Sequence, residues 1–524
     1  MPNSPTAAPA PVSPAPGTAP SVLSIDALQR QLQDATGRAI RRVETHISWV
    51  LLDGEAAWKI KKPVRLGFLD FADLGARRQA CEDELRLNRR LAPALYREVV
   101  PVRGRPDAPH FGGDGPTIDY ALRMTQFPDD ALLSEQLSAG TLDAATVDRL
   151  AVRLATFHRQ ADRAAPDTSF GAPDRVLGAT ADVLGGLAAR SNDPRLAGLV
   201  AWCRAEGERL LPRFAARREQ GWVREGHGDL HLDNLIAVDG DATAFDCIEF
   251  DPALRWIDVQ SDIAFLTMDL QARGRRDLAF RFLDRWLEVT GDYAGLALHR
   301  YYAVYRALVR AMVGAIRRAG GLVAAGPDYL AIATTLAGAF DARLAITHGV
   351  SGSGKSVVAQ RLLEAAAAVR LRSDVERKRL FGLGALDATA ALGAAVAYSP
   401  DATRRTYARL RDLAAAVLDA GYPVIVDAAF LKAAERDAFR QLAATAAVPF
   451  SILDCHADAT VLRQRVASRH ARADDASEAD IAVLERQLVD AEPLAPGERD
   501  GVIDIDTTRP VDIAAIAAVW LGAR

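Results

Sequence analysis

The chain has 524 residues, 49% hydrophobic and 25% charged. That composition excludes the disordered and collagen-like classes, and at about 150 residues per domain the length predicts two to four folding units. Its 64 Lys and Arg stand against 68 Asp and Glu, a formal net charge of −4, which argues against a general nucleic-acid coat or a polybasic membrane patch but allows a local basic site. Cys81, Cys203, Cys247 and Cys455 are scattered and form no C-x-x-C pair, so a reducing, cytoplasmic setting is expected. No run approaches the roughly 18 apolar residues of a membrane span.

The first 20 residues hold seven of the chain's 26 prolines, and the first basic residue is Arg30. This pattern lacks the charged and apolar regions of a signal peptide and predicts a disordered leader over 1–21. Ser24 is a suitable N-cap for a helix opening at Ile25. Ile47 to Leu52 and Ala56 to Ile60 flank Asp53-Gly54, the pattern of a β-hairpin. Helical spacing follows from about Ala76 to Leu91, then an extended stretch from Tyr120 to Phe127. Long helices and a loop-rich region of short strands from Val223 to Phe250 come next, and a mostly helical segment runs to about Phe340. Beyond a boundary placed near 340, short apolar runs alternate with helical stretches, which predicts a doubly wound parallel α/β sheet over 341–524.

In the first half, His227-Gly228-Asp229-Leu230-His231-Leu232-Asp233-Asn234 has the H-x-D-x-x-x-x-N spacing of a kinase catalytic loop. Phosphoryl transfer needs a carboxylate at the acceptor hydroxyl and oxygen ligands for Mg²⁺. Asp229 fits the base, and Asn234 with Asp246, at the end of an apolar strand, fits the metal ligands. A phosphate-binding lysine on a strand is expected at Lys59, two residues after the small Ala57; Lys61 shares its face but puts Lys59 where the small residue belongs. Glu84 falls inside the apolar stripe of its helix and is the expected partner of Lys59, whereas Glu82 lies on a charged face.

In the second half, Gly349-Val350-Ser351-Gly352-Ser353-Gly354-Lys355-Ser356 fits the G-x-x-x-x-G-K-[ST] phosphate loop between a strand and a helix. Converging N–H groups suit phosphate oxygens, Lys355 neutralises their charge, and Ser356 reaches Mg²⁺. Asp374 follows the next strand and can accept a proton from an acceptor hydroxyl, with Arg377 one turn on; the alternative makes Asp374 simply a helix N-cap. Asp427 ends another apolar strand and is a candidate metal ligand. Arg463, Arg465, Arg469 and Arg472 form an Arg-rich lid, from which Arg469 is taken as a nucleotide contact.

From Arg343 onward, the phosphate loop, Ser373-Asp374-x-x-Arg377, Val426-Asp427-Ala428-Ala429-Phe430 and the Arg-rich helix resemble the small phosphate-loop kinases that include polynucleotide 5′-kinase and chloramphenicol kinase. The first half resembles the aminoglycoside phosphotransferase family, which has a bilobal protein-kinase-like fold. More closely, Thr45 to Val50, Trp58 to Pro63, Phe68 to Phe71, Glu84 to Arg90 and Ile257 to Asp262 look like a bacterial bifunctional group that fuses such a half to an ATP-binding phosphate-loop half. The resemblance implies domains at 22–340 and 341–524, ATP and Mg²⁺ as cofactors, and small-molecule hydroxyls as acceptors. It departs in having no G-x-G-x-x-G loop before Lys59, so phosphate covering falls to the Glu44-to-Ser48 turn, and in having Cys247 where a glycine is expected after Asp246. Asp258 and Asp262 are read as structural anchors of the catalytic loop. Two further readings stand beside two active kinases: a regulatory first half beside an active second, and a phosphate-loop half that acts as a nucleotide-driven switch.

Overall fold

The computed structural model describes residues 23–66, 69–319, 326–338, 341–385, 387, 399–472 and 479–522. The leader expected over 1–21 lies outside them. The chain divides into two compact units, Met1–Phe127 with Glu249–Asp251, and Pro128–Ile248 with Pro252–Arg524.

The first unit is built on a six-stranded antiparallel sheet. Its strands are β1 (Arg41–Glu44), β2 (Ser48–Leu52), β3 (Ala56–Lys61), β6 (Tyr96–Arg105), β7 (Ala108–Phe111) and β8 (Thr117–Thr125), in the order β1-β2-β3-β8-β6-β7. A small ladder of β4 (Arg65–Leu66) and β5 (Leu69–Asp70) lies apart from it. Ser24 caps the helix Ile25–Thr36 as expected, its hydroxyl accepting from the Ala27 N–H at 3.2 Å. The helix Leu74–Arg89 is capped by Asp73.

The expected hairpin forms at Asp53-Gly54. Its carboxylate accepts from the N–H groups of Glu55 and Ala56 and from the Trp58 indole, so the side chain replaces backbone partners in the turn. Leu28, Leu51, Ile60, Val102 and Ala121 form the core of this unit.

Strands β6 and β7 are not anticipated by the sequence reading, and Pro101 and Pro109 within them run against the usual exclusion of proline from strands. The register explains why Pro101 is tolerated. It pairs with Tyr120 of β8, while pairing with β7 begins only at Val102↔Phe111.

The second unit opens with long helices. Their core gathers Leu210, Phe214, Phe265, Leu298 and Tyr301. Short ladders carry the polar loops: β9 (Val223–Glu225) pairs with β12 (Trp256–Asp258), and β10 (Leu235–Val238) with β11 (Asp241–Ala244). The same unit contains a wholly parallel five-stranded sheet of β13 (Leu344–His348), β14 (Val369–Arg372), β15 (Val424–Asp427), β16 (Phe450–His456) and β17 (Val502–Asp506), in the order β14-β15-β13-β16-β17. The doubly wound expectation holds. With β13 at the centre, the order reverses beside it, and the crevice at its carboxyl end is where ligands bind in such sheets.

Candidate functional sites

The residues singled out in the sequence fall into three clusters, one in the first unit and two in the second.

In the first unit, Lys59 and Lys61 alternate onto one face of β3 and both reach Glu84. Lys59 Nζ donates to Glu84 Oε1 at 2.7 Å and Lys61 Nζ to Oε2 at 2.5 Å. Lys61 also bonds Glu249, a residue the sequence reading does not identify. Lys61 and Glu84 are wholly buried, whereas the Lys59 side chain keeps 12% exposure. Burial works against charge on Lys61, but the Glu249 and Glu84 carboxylates outweigh it and raise its pKa. Glu249 is shifted upward by burial and by its neighbour Glu84, against the pull of Lys61. Two lysines and two carboxylates thus balance one another out of water, and Lys59 is the lysine that retains access to a ligand.

The Glu44-to-Ser48 turn joins β1 to β2. Thr45 Oγ1 accepts from the Ser48 N–H at 2.9 Å, and Lys62 Nζ donates to Glu44 Oε1 at 2.6 Å and to the Thr45 carbonyl at 2.5 Å. This turn is tied down by side chains where a glycine loop would be open.

In the second unit, the stretch from His227 to Asn234 lies between β9 and β10. Asn234 Nδ2 donates to Asp229 Oδ2 at 2.9 Å and to the Asp229 carbonyl at 3.0 Å, which leaves its amide oxygen as the atom suited to a cation. Burial resists ionisation of Asp229, but His231 and His227 beside it, with Arg310, hold its carboxyl well below the usual range. Asp229 is therefore an anion across the physiological pH range. Asp246 follows β11 with a φ of 61°, a left-handed conformation uncommon outside glycine, although Asp tolerates it better than most residues.

Two carboxylates on the helix Val259–Ala272 fix this loop. Asp262 accepts from the His227 N–H at 2.7 Å and the Gly228 N–H at 3.0 Å. Asp269, two turns on, accepts from the Leu232 N–H at 3.1 Å. Burial pushes Asp262 up, and the His158 contact with the loop amides more than reverses this. Arg306 adds a bond to the Gly228 carbonyl at 3.0 Å. Asp262 is thus a loop anchor as expected. Asp258 instead caps its helix at Gln260 and pairs with buried Arg217 at 2.6 Å, so its support of the loop is indirect. Asp269 and Arg306 carry no motif signal; their spacing from Asp262 on packed helices is the only clue.

The third cluster lies at the carboxyl ends of the parallel strands. The phosphate loop joins β13 to the helix Lys355–Ala366. Gly349, Gly352 and Gly354 have φ values of 134°, 83° and 84°. At Gly349 a Cβ would lie 2.3 Å from the Cys455 carbonyl oxygen, so both conformation and space require glycine. Val350 packs against Leu462, Val466 and Leu484. Lys355 Nζ donates to the Val350 carbonyl at 2.8 Å and reaches Ser353 Oγ at 3.4 Å, curled over its own loop. Ser356 is half-buried in the first helical turn.

Asp427 ends β15, beside β13. It is 4% exposed, and its Oδ2 has no hydrogen-bond partner. Arg372 Nε stands 3.8 Å from it, an ion pair too long for a hydrogen bond, and a buried carboxylate oxygen in that state fits a divalent cation, since a buried acceptor without a hydrogen bond is otherwise costly. Asp374 is the second residue of the helix Ser373–Leu380, whose N-cap is Arg372; the alternative role as N-cap does not apply. Arg377, on the same helix, is buried, with Nη1 3.5 Å from Thr403 Oγ1.

Among the lid arginines, Arg463 pairs with Glu485 at the surface. Arg465 bonds the Gly352 carbonyl at 3.2 Å and the Thr507 hydroxyl at 2.8 Å, and Thr507 in turn donates to the Ser353 carbonyl. Arg465 and Thr507 therefore brace the phosphate loop, and both line a cleft of about 290 Å³ with Gly354, Val357 and Arg509. Thr507 is not identified by the sequence reading. The side chains of Arg469 and Arg472 lie outside the described residues.

A family model described as an AAA domain matches residues 344–494. Uncharacterized proteins of Mycobacterium tuberculosis and Mycobacterium bovis are each 30% identical over 456 residues, 85% of this chain and 90% of theirs. The chain belongs to their family. Among solved structures, it is similar to an ADP-bound aminoglycoside phosphotransferase, APH(2'')-Ib, with 16% identity, a TM-score of 0.34, and coverage of 60% of this chain and 97% of that one. It is also similar to a gluconokinase of Sinorhizobium meliloti, with 22% identity, a TM-score of 0.25, and coverage of 35% and 94%. No helix among the described residues is long and apolar enough to cross a membrane.

Proposed function

We propose that this protein is a bifunctional ATP-dependent phosphotransferase, with each half transferring the γ-phosphoryl group to a hydroxyl of a small molecule. The observation that carries the reading is the recurrence, in two unrelated folds of one chain, of phosphate-binding cations and carboxylates suited to phosphoryl transfer. Functional domains at 22–340 and 341–524 follow from it.

In the first half, the Asp229 carboxylate accepts the proton of the acceptor hydroxyl. The oxygen bonds to the γ-phosphorus as the bond to the β–γ bridging oxygen breaks, and ADP leaves. Asn234 keeps Asp229 aimed, and Lys59 binds phosphate oxygens while Glu84 orients it. Asn234 and Asp246 suit a Mg²⁺ ion. In the second half, the loop amides and Lys355 hold the phosphates, Asp374 takes the acceptor proton, Arg377 offsets charge, and Ser356 and Asp427 suit the metal. Arg469 is assigned to nucleotide by its place on the lid helix. When bound, Mg²⁺ neutralises charge on the β- and γ-phosphates at either site.

Replacing Lys355 by Ala should abolish one ATP-dependent activity and replacing Asp229 by Asn another; unchanged turnover in both variants would contradict the proposal. A second reading makes the first half a nucleotide-binding regulatory module. The Lys62-tied turn, which has no glycine, favours it. A phosphorylated product that disappears with Asp229→Asn but not with Lys355→Ala excludes that reading.

A further inference from the structure

The helix Arg276–Thr290 touches the surroundings of both clusters in the second unit. At one end, Glu288 accepts from Arg370 Nη2 at 3.1 Å and lies 3.5 Å from Arg372 Nη1. Arg372 Nε is in turn 3.8 Å from Asp427 Oδ2. Asp284, one turn earlier, takes Arg370 at 2.8 Å. Arg281 of the same helix bonds Glu364, on the helix that Lys355 opens, at 2.7 Å.

The opposite direction leads to the catalytic loop. Trp286 Nε1 donates to His158 Nδ1 at 3.1 Å, and His158 Nε2 meets Asp262 Oδ2 at 3.2 Å. Because an indole N–H can only donate, His158 Nδ1 must accept, and Nε2 carries the hydrogen that Asp262 receives. Asp262 holds the His227 and Gly228 amides. Trp286, His158, Asp262, Asp284, Glu288 and Arg370 are all buried, where such bonds are strong and displacement of one partner is felt by the next.

We propose that this helix carries positioning residues for both sites, Glu288 acting through Arg372 on Asp427 and Trp286 acting through His158 and Asp262 on the catalytic loop, so that nucleotide at the phosphate loop alters the loop around Asp229. The inference rests on the two-site reading above. Arg372 is the element with two arrangements, since it stands between two carboxylates. Positive charge arriving at Asp427 repels the guanidinium toward Glu288, Glu288 redistributes among Arg370, Arg372 and Arg285, and the rigid helix transmits the adjustment to Trp286. By linkage, a ligand on the catalytic loop must change nucleotide affinity at the phosphate loop by the same factor.

The test uses the full-length Lys59→Ala protein, which confines nucleotide to the phosphate loop, with Mg²⁺ and a non-hydrolysable ATP analogue. Amide hydrogen exchange over residues 224–234 should slow at least threefold on loading. The added change Trp286→Phe should abolish that response while analogue affinity stays within twofold. Binding of the analogue with no change in exchange overturns the coupling alone, and this comparison needs no substitution in the core. A response that persists in a folded Trp286→Phe variant also overturns it. Failure of the analogue to bind Lys59→Ala protein overturns the phosphate-loop reading and the coupling with it.

Discussion

Glu249 and Lys59 differ in what their replacement should do, although both belong to one charge cluster. Glu249 shares the wholly buried Lys61 with Glu84. Its replacement by Gln leaves a buried ammonium with one carboxylate fewer, and breaking a buried pair typically costs about 3–5 kcal/mol. Glu249→Gln should therefore lower the denaturant midpoint markedly, as measured by urea unfolding. Lys59→Ala takes one of its two cations from the buried Glu84, so it should lower the midpoint as well, but it should in addition remove at least about 100-fold of the turnover proposed for the first half, the scale of a lost preorganised phosphate contact. Lys59 and Glu84 are legible in the sequence because the small Ala57 two positions before it separates Lys59 from Lys61 on the same face, and a helical stripe isolates Glu84. Glu249 is not, because a single acid in Cys-Ile-Glu-Phe carries no periodic signal and its partner lies 188 positions away.

At the level of elements, the phosphate loop is legible because its constraint is local. Glycine spacing encodes backbone angles, and the structure gives a physical reason at Gly349, where φ is 134° and the Cys455 carbonyl closes the space. Gly349→Ala should strain the loop by about 1–3 kcal/mol and abolish nucleotide binding at the phosphate loop, measured by calorimetry in the Lys59→Ala protein. The His227-to-Asn234 loop is legible as a motif, but its supports on neighbouring helices are not, since Asp269 and Arg306 act from 37 and 78 positions away. The strands β6 and β7 carry proline against a local rule, and only the register of the sheet, set by distant partners, accommodates it.

The helix Leu296–Ala319 packs a buried histidine against the helix Val259–Ala272. His299 Nδ1 meets Gln260 Oε1 at 3.0 Å and Nε2 meets Thr267 Oγ1 at 2.9 Å. Burial lowers its pKa to about 3. A histidine neutral when folded and titrating near 6.5 when unfolded contributes stability that is complete above that value and shrinks as pH falls below it, because the unfolded chain takes up the proton first. Between pH 6.5 and 5 the loss is about 2 kcal/mol. His299→Gln should flatten that part of the pH–stability curve, and a curve parallel to wild type would contradict this account of the packing.

For the whole molecule, the length of 524 residues allows two to four units, and the motifs narrow the reading to two phosphotransferase-like halves. The change from mixed and helical patterning to alternating strands and helices is visible because a parallel sheet imposes it over many residues. What the sequence does not reveal is the polar traffic within the second unit, where Arg370 meets Asp284 and Glu288, and Trp286 meets His158. Those pairs are set by tertiary packing and leave no local pattern. The most direct test is to incubate the intact chain with labelled ATP and a metabolite extract and to identify phosphorylated species by mass spectrometry, for wild type, Asp229→Asn and Lys355→Ala. Two products are predicted, each variant losing a different one; both variants retaining both products, or losing the same single product, would contradict two separate phosphoryl-transfer sites.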